Sequence, residues 1–172
     1  FRKTFNANKK VVSSRAYIAG AGYFELFVNG QRVGENYLDP GYTHFDKRIL
    51  YVTHDITPLL VSGENAVGDV IGNGWYNIQS KAVWDFEKAR WRDRPRLLCE
   101  IRLTYSDGTT ETIASDDSWK TATGPYTYNN IYSGDMYDAR LEQEGWDKPA
   151  FDDVKCTNAV ITKEPAPLLV AQ

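Results

Sequence analysis

Apolar and polar residues alternate with a period of two along much of this chain, while three- and four-residue spacing is scarce. The pattern predicts a succession of strands joined by turns. The clearest stretch is residues 23–33, where Phe24, Leu26 and Val28 share one face, Tyr23, Glu25 and Phe27 share the other, and Asn29-Gly30 follows. Asn and Gly both accept the positive φ that a type I′ turn demands, so a tight hairpin is expected there. A second hairpin is expected from residues 96–105, the turn Ser106-Asp107-Gly108, and residues 109–114, where Thr109, Thr110 and Thr112 favour a strand. Residues 1–5, 49–53, 65–71 and 119–123 read as further strands, and residues 159–162 as one closing the sheet. Residues 55–60 suggest a short helical turn, with Asp55 or Thr57 as N-cap and Pro58 at the first helical position. Eight or more short strands separated by turn signals predict an all-β fold, a β-sandwich or jelly roll.

Residues 73–94 and 126–153 carry neither periodicity, and long loops in a compact β domain are a common location for function. No repeat or charge block divides the 172 residues, which read as one β-sandwich domain, residues 1–172. The strand-like start and the extended residues 165–172 suggest a fragment of a larger multidomain protein. No apolar run approaches the ~20 residues of a membrane span, so a membrane is not expected as a partner. Lys and Arg number 20 against 23 Asp and Glu, a net charge of -3, which gives no general attraction for a phosphate backbone and argues against nucleic acid. Five Trp and eleven Tyr suit both half-exposed strands and sugar-stacking platforms. Cys99 lies in an apolar strand and reads as core packing. The spacing leaves its pairing with Cys156 open.

Glycoside cleavage needs two carboxyl groups about 5 to 10 Å apart. The adjacent pairs Asp116-Asp117 and Asp152-Asp153 sit in turn-like settings, where Asp bonds its own backbone, and no catalytic residue is assigned. His44 and His54 are too isolated for a triad or a metal cluster. A sugar site needs an aromatic plane and a few planar polar groups. Trp91, in a polar loop before Arg94-Pro95, is either a clamp on the core or an exposed platform, with Trp84 beside Phe86 as its competitor. Asn73, between Gly72 and Gly74, offers an oxygen to a hydroxyl or cation, or makes a strained turn. Asn129 and Asn130 offer amides to a ligand, or form a paired turn. Trp75 and Tyr76 read as core wedges, and Asp138 and Arg140 as structural neighbours on one face.

Several patterns occur in a familiar order. They are residues 22–30 with Val33-Gly34, Leu38-Asp39-Pro40-Gly41-Tyr42-Thr43, Asp46-Lys47-Arg48, Asp55-Ile56-Thr57, Gly63-Glu64-Asn65-Ala66 and Gly72-Asn73-Gly74-Trp75-Tyr76. Arg94-Pro95, Ser115-Asp116, Trp119-Lys120, Ile131-Tyr132, Tyr137-Asp138-Ala139-Arg140-Leu141-Glu142, Gly145-Trp146 and Phe151-Asp152-Asp153 complete the set. The ordered set resembles the N-terminal β domain of bacterial α-L-rhamnosidases of glycoside hydrolase family 78. The resemblance implies a jelly roll like that of galactose-binding domains, in a polypeptide whose catalytic carboxylates lie in a separate (α/α)6 barrel and hydrolyse terminal α-L-rhamnose with inversion. Partners would then be a rhamnose-containing glycan and other domains of the parent enzyme, in an extracellular or periplasmic setting.

In some members the equivalent domain, classed as carbohydrate-binding module family 67, binds L-rhamnose with calcium. The resemblance carries those ligands to the neighbourhoods of Asn73 and of residues 129–135, which makes Asn73, Asn130 and Asp135 candidates for both sugar and calcium; Trp91 and its competitor Trp84, read from their own polar loop, complete the sugar set. Gly74 supplies no side chain where binding members carry a polar ligand, and Asp135 stands where the family commonly has Glu. Val154-Lys155-Cys156 replaces a stretch where relatives tend to show another Trp. Trp146, Phe151 and residues 165–172 are expected to pack the exit of the domain toward a neighbour. The alternative is a purely structural domain with no ligand.

Overall fold

The computed structural model describes residues 1–81 and 83–172, and its strands form two sheets and a separate hairpin. One sheet contains β1 (Arg2–Ala7), β3 (Tyr23–Val28), β4 (Gln31–Arg32), β6 (Gly63–Gly72), β9 (Lys120–Thr121) and β12 (Thr157–Asn158), in the order β12-β9-β1-β6-β3-β4. The other contains β2 (Val11–Ala21), β5 (Ile49–Asp55), β7 (Arg96–Tyr105), β8 (Thr110–Ala114) and β13 (Leu169–Ala171), in the order β13-β5-β2-β7-β8. β10 (Tyr126–Asn130) and β11 (Gly134–Tyr137) pair with each other alone. The chain is an all-β sandwich, as its period-two pattern implies.

The alternation read in residues 23–28 is the alternation of burial. Phe24, Leu26 and Val28 are buried between the sheets with Ala16 and Ile18 of β2 and Cys99, Ile101 and Leu103 of β7. Burying each large apolar side chain contributes about 1.5–3 kcal/mol, and both sheets supply them on alternate residues. Asn29 (φ 52°) and Gly30 (φ 82°) make the expected hairpin turn into β4. The Asn29 amide also stitches that turn to β6, donating to Leu59 O (2.9 Å) and Asn65 Oδ1 (2.8 Å) and accepting from Ala66 N–H (2.8 Å). The predicted helical turn is a single 3-10 turn, Thr57–Leu59, and Asp55 accepts the Thr57 N–H at 3.0 Å.

Residues 159–162 do not form the closing strand. Pairing stops after Thr157–Asn158, Ala159 makes one last bond to Trp119 O (2.7 Å), and Val160 and Ile161 lie exposed with no sheet neighbour. Residues 165–172 do contain a strand, β13, which runs parallel to β5. Cys99 and Cys156 are both free thiols. Trp146 and Phe151 fold back over the first sheet. The Trp146 ring covers Gly68, where a Cβ would lie 2.5 Å from it, and Phe151 lies 5.3 Å from the Arg2 guanidinium. Arg2, buried on that face, donates to Trp146 O (2.9 Å) and Lys148 O (3.0 Å) and pairs with Asp153.

Candidate functional site

A second apolar cluster, Ala19, Ala21, Phe45, Ile49 and Tyr76, lies on the other side of β2 from the main core and supports an aromatic surface. The chain leaves β6 at Gly72 and turns at once, with Asn77 N–H bonding Asn73 O at 3.1 Å. Gly74 sits in the left-handed region (φ 50°), and a Cβ there would approach Tyr23 at 3.1 Å, so glycine suits the turn. This turn sends Tyr76 inward to full burial and leaves Trp75 half-buried at the surface. The Trp75 ring centre lies 5.3 Å from Phe86, 5.6 Å from Tyr132 and 6.1 Å from Tyr42. Phe86 in turn lies 6.3 Å from Trp84 and 6.4 Å from Trp91, and Trp91 packs on His44 at 4.5 Å. These are edge or tilted contacts, the arrangement favoured by ring quadrupoles.

Beside the rings lies a set of amides. The Asn73 N–H donates to Asn129 Oδ1 (2.7 Å), Asn73 Nδ2 donates to Asn129 O (2.9 Å), and Asn73 Oδ1 accepts from Asn77 Nδ2 (2.8 Å). Asn129 Nδ2 reaches across the hairpin to Asp135 Oδ1. Asn130 is buried, its Nδ2 donating to Ser80 Oγ (3.0 Å) and its Oδ1 accepting from the N–H groups of Tyr132 (2.9 Å) and Ser133 (3.2 Å).

The five sugar candidates therefore gather in one region, four of them at or near the surface and Asn130 buried beneath it. Trp84, Phe86, Trp75 and Tyr132 connect ring by ring, Asn130 holds the turn that carries Tyr132, and the adjacent Asn129 bonds both Asn73 and the Asp135 carboxylate. Their placements differ. Trp91 is half-buried, and its Nε1 is enclosed without an acceptor among the described residues. Trp84 is 83% exposed, and both it (φ 62°) and Asp85 (φ 55°) have left-handed backbones. Such conformations cost bulky residues about 1–2 kcal/mol and are found most often at active sites, ligand clamps and switch regions. Asp135 is exposed, with one oxygen taken by Asn129. Tyr42, about half exposed, and Ser80 also shape the surface. Neither lies in a periodic segment, and an aromatic after Pro40-Gly41 was the one available signal for Tyr42.

Asp46 is held below the ordinary carboxylate range by its hydrogen bond with His44, at the foot of Trp91. Burial raises the Tyr23 hydroxyl, opposed by its hydrogen bond with Trp75. The acidic pairs have local roles. Asp116 accepts the Ser118 N–H (2.9 Å), Asp152 that of Val154 (3.1 Å), and Asp153 pairs with Arg2.

Residues 9–172 match the family described as the alpha-L-rhamnosidase N-terminal domain. The chain belongs to that family. An alpha-L-rhamnosidase of Formosa agariphila is 44% identical over 155 residues, which are 89% of this chain and 16% of that protein. The alpha-L-rhamnosidase of Streptomyces avermitilis, solved as a complex with L-rhamnose, superposes with a TM-score of 0.92 at 36% identity, over 99% of this chain and 16% of its own. That of Dictyoglumus thermophilum gives 0.90 at 40% identity, over 99% and 18%. A rhamnosidase N-terminal domain of this kind thus spans about a sixth of the proteins it matches.

The calcium implied for this rhamnosidase domain can be tested against its donors. Calcium takes six to eight oxygens, with carboxylates supplying the charge. Here Asn130 Oδ1 already accepts two N–H groups, Asn129 Oδ1 and Asn73 Oδ1 accept one each, and Asp135 is the one carboxylate joined to the cluster by these bonds. Asn73, Asn130 and Asp135 as arranged do not fit a calcium ion.

Proposed function

We propose that residues 1–172 form a non-catalytic β-sandwich module of a larger α-L-rhamnosidase that removes terminal α-L-rhamnose from glycans, and that this module touches rhamnose-containing glycan through the surface around Trp84. Cleavage belongs to another part of the parent polypeptide. The observation that carries the sugar contact is Trp84, held outward by a left-handed backbone and continuous with Trp75 and Tyr132. An exposed indole presents an apolar plane to the C–H face of a pyranose, and the free oxygen of Asp135 can accept from a hydroxyl. Trp91, packed on His44, Phe45 and Phe86, serves as a clamp.

A specific observation also favours a purely structural reading. Val160 and Ile161, and further along Leu168 and Leu169, are exposed in the last fifteen residues, apolar side chains suited to cover by another domain of the parent enzyme. The two readings part on titration. L-rhamnose added to the protein should give saturable heat and a tryptophan fluorescence change in the millimolar range. Trp84→Ala should weaken binding at least about tenfold, a loss of roughly 1.4 kcal/mol. No response from the unaltered protein would leave the structural reading standing.

A further inference from the structure

We infer that the amides between β6 and the β10–β11 hairpin form a metal-independent latch in which Asn129 is the positioning residue, fixing Tyr132 and Asp135 beside the aromatic surface. The latch adjoins the surface assigned above to sugar, but it stands on hydrogen bonds and needs no sugar to bind.

The hairpin is hydrogen-bonded in register to neither sheet, so its place depends on a few side-chain and end contacts. Asn129 supplies two of them to a single residue. Its Oδ1 accepts the Asn73 N–H and its main-chain oxygen accepts Asn73 Nδ2, at 2.7 and 2.9 Å, which fixes both distance and orientation. Its remaining amide hydrogens face across the hairpin, where Nδ2 bonds Asp135, the residue directly opposite in the strand register. Asn130 adds a third tie through Ser80 and closes the hairpin turn with its oxygen. Gly72 completes the fit, because a Cβ there would lie 2.9 Å from Asn129 Oδ1. A cation in this cluster would compete with two N–H groups at Asn130 Oδ1 and with one each at Asn129 Oδ1 and Asn73 Oδ1, and would find a single carboxylate, Asp135, so the amides do the cross-linking that a metal would otherwise do.

Thermal unfolding and amide hydrogen exchange of the 172-residue chain, in millimolar calcium chloride and in EGTA, test this directly. The expected result is the same midpoint and the same protection of residues 126–137 in both. Asn129→Ala should speed exchange across 126–137 at least about tenfold while β2 and β7 keep their protection, and calcium should not restore it. Gly72→Ala should act in the same way by displacing the Asn129 amide, and it provides a second route if the first variant folds poorly. A midpoint raised by calcium, hairpin protection that appears with calcium alone, or unchanged exchange in both variants would overturn the latch. Loss of the rhamnose response with calcium-independent protection intact would defeat the sugar reading and leave the latch in place.

Discussion

Asp69 occupies a position where its chemistry is least comfortable. It lies on β6 directly opposite Leu26, is wholly buried, and neither carboxylate oxygen meets a donor among the described residues. Burial pushes its pKa well above the ordinary carboxylate range, with the Phe1 amino group opposing and Glu25 adding to the shift. The folded protein therefore keeps this proton at pH values where the unfolded chain, with a pKa of about 4, has lost it. With more protons bound in the folded state, stability falls as pH rises from about 4 toward the folded-state pKa. Asp69→Asn should accordingly unfold at higher urea than the unaltered protein at pH 8, with the gap shrinking at pH 4. An equal gap at both pH values would assign the effect to packing instead.

At the scale of elements, the hairpin of β3 and β4 was legible because two signals agreed, strict alternation from Tyr23 to Val28 and an Asn-Gly turn. The Asn29 side chain adds what no turn rule contains, three bonds that tie the hairpin to β6 and Leu59. Asn29→Ala should destabilise by about 1–3 kcal/mol in chemical denaturation, since Ala66 N–H and the buried Asn65 lose partners, whereas Asn29→Gly cannot isolate the turn geometry from those bonds. The longest strand, β2, gave no comparable signal. Its inward residues include Ser14 and Ala16, and it ends in Ala19, Gly20 and Ala21, where both faces are covered, so the apolar contrast that marks alternation is faint. β10 and β11 were hidden in a loop for a different reason. Four of the residues in β10 and β11 are Tyr or Met that remain partly or largely exposed, so burial does not impose a two-residue period. The two long stretches that hold the candidate residues, 73–94 and 126–153, could be bounded from sequence by their lack of periodicity. Which of Trp84 and Trp91 faces solvent depends on the packing of His44 and Phe45, from a distant loop, against Trp91, and that information is tertiary.

At the scale of the whole molecule, both sheets are assembled from distant parts of the chain. β1 lies between β6 and β9, and β2 between β5 and β7, with Ile18 opposite Cys99. This order has a consequence for the ribosome. About 80 residues must be added after Ile18 before its β7 neighbour exists, which at 5–20 residues per second leaves β2 without that neighbour for roughly 4 to 16 seconds. Throughout that interval Ala16, Ile18 and their neighbours form an apolar strand with an open edge, the kind of segment that holding chaperones occupy. Ribosome-bound chains stalled at residue 95 should be cut by added protease within residues 11–21, whereas chains with all 172 residues clear of the exit tunnel should resist. Resistance already present at residue 95 would mean that β2 and β5 are sufficient to shield each other before the sandwich closes.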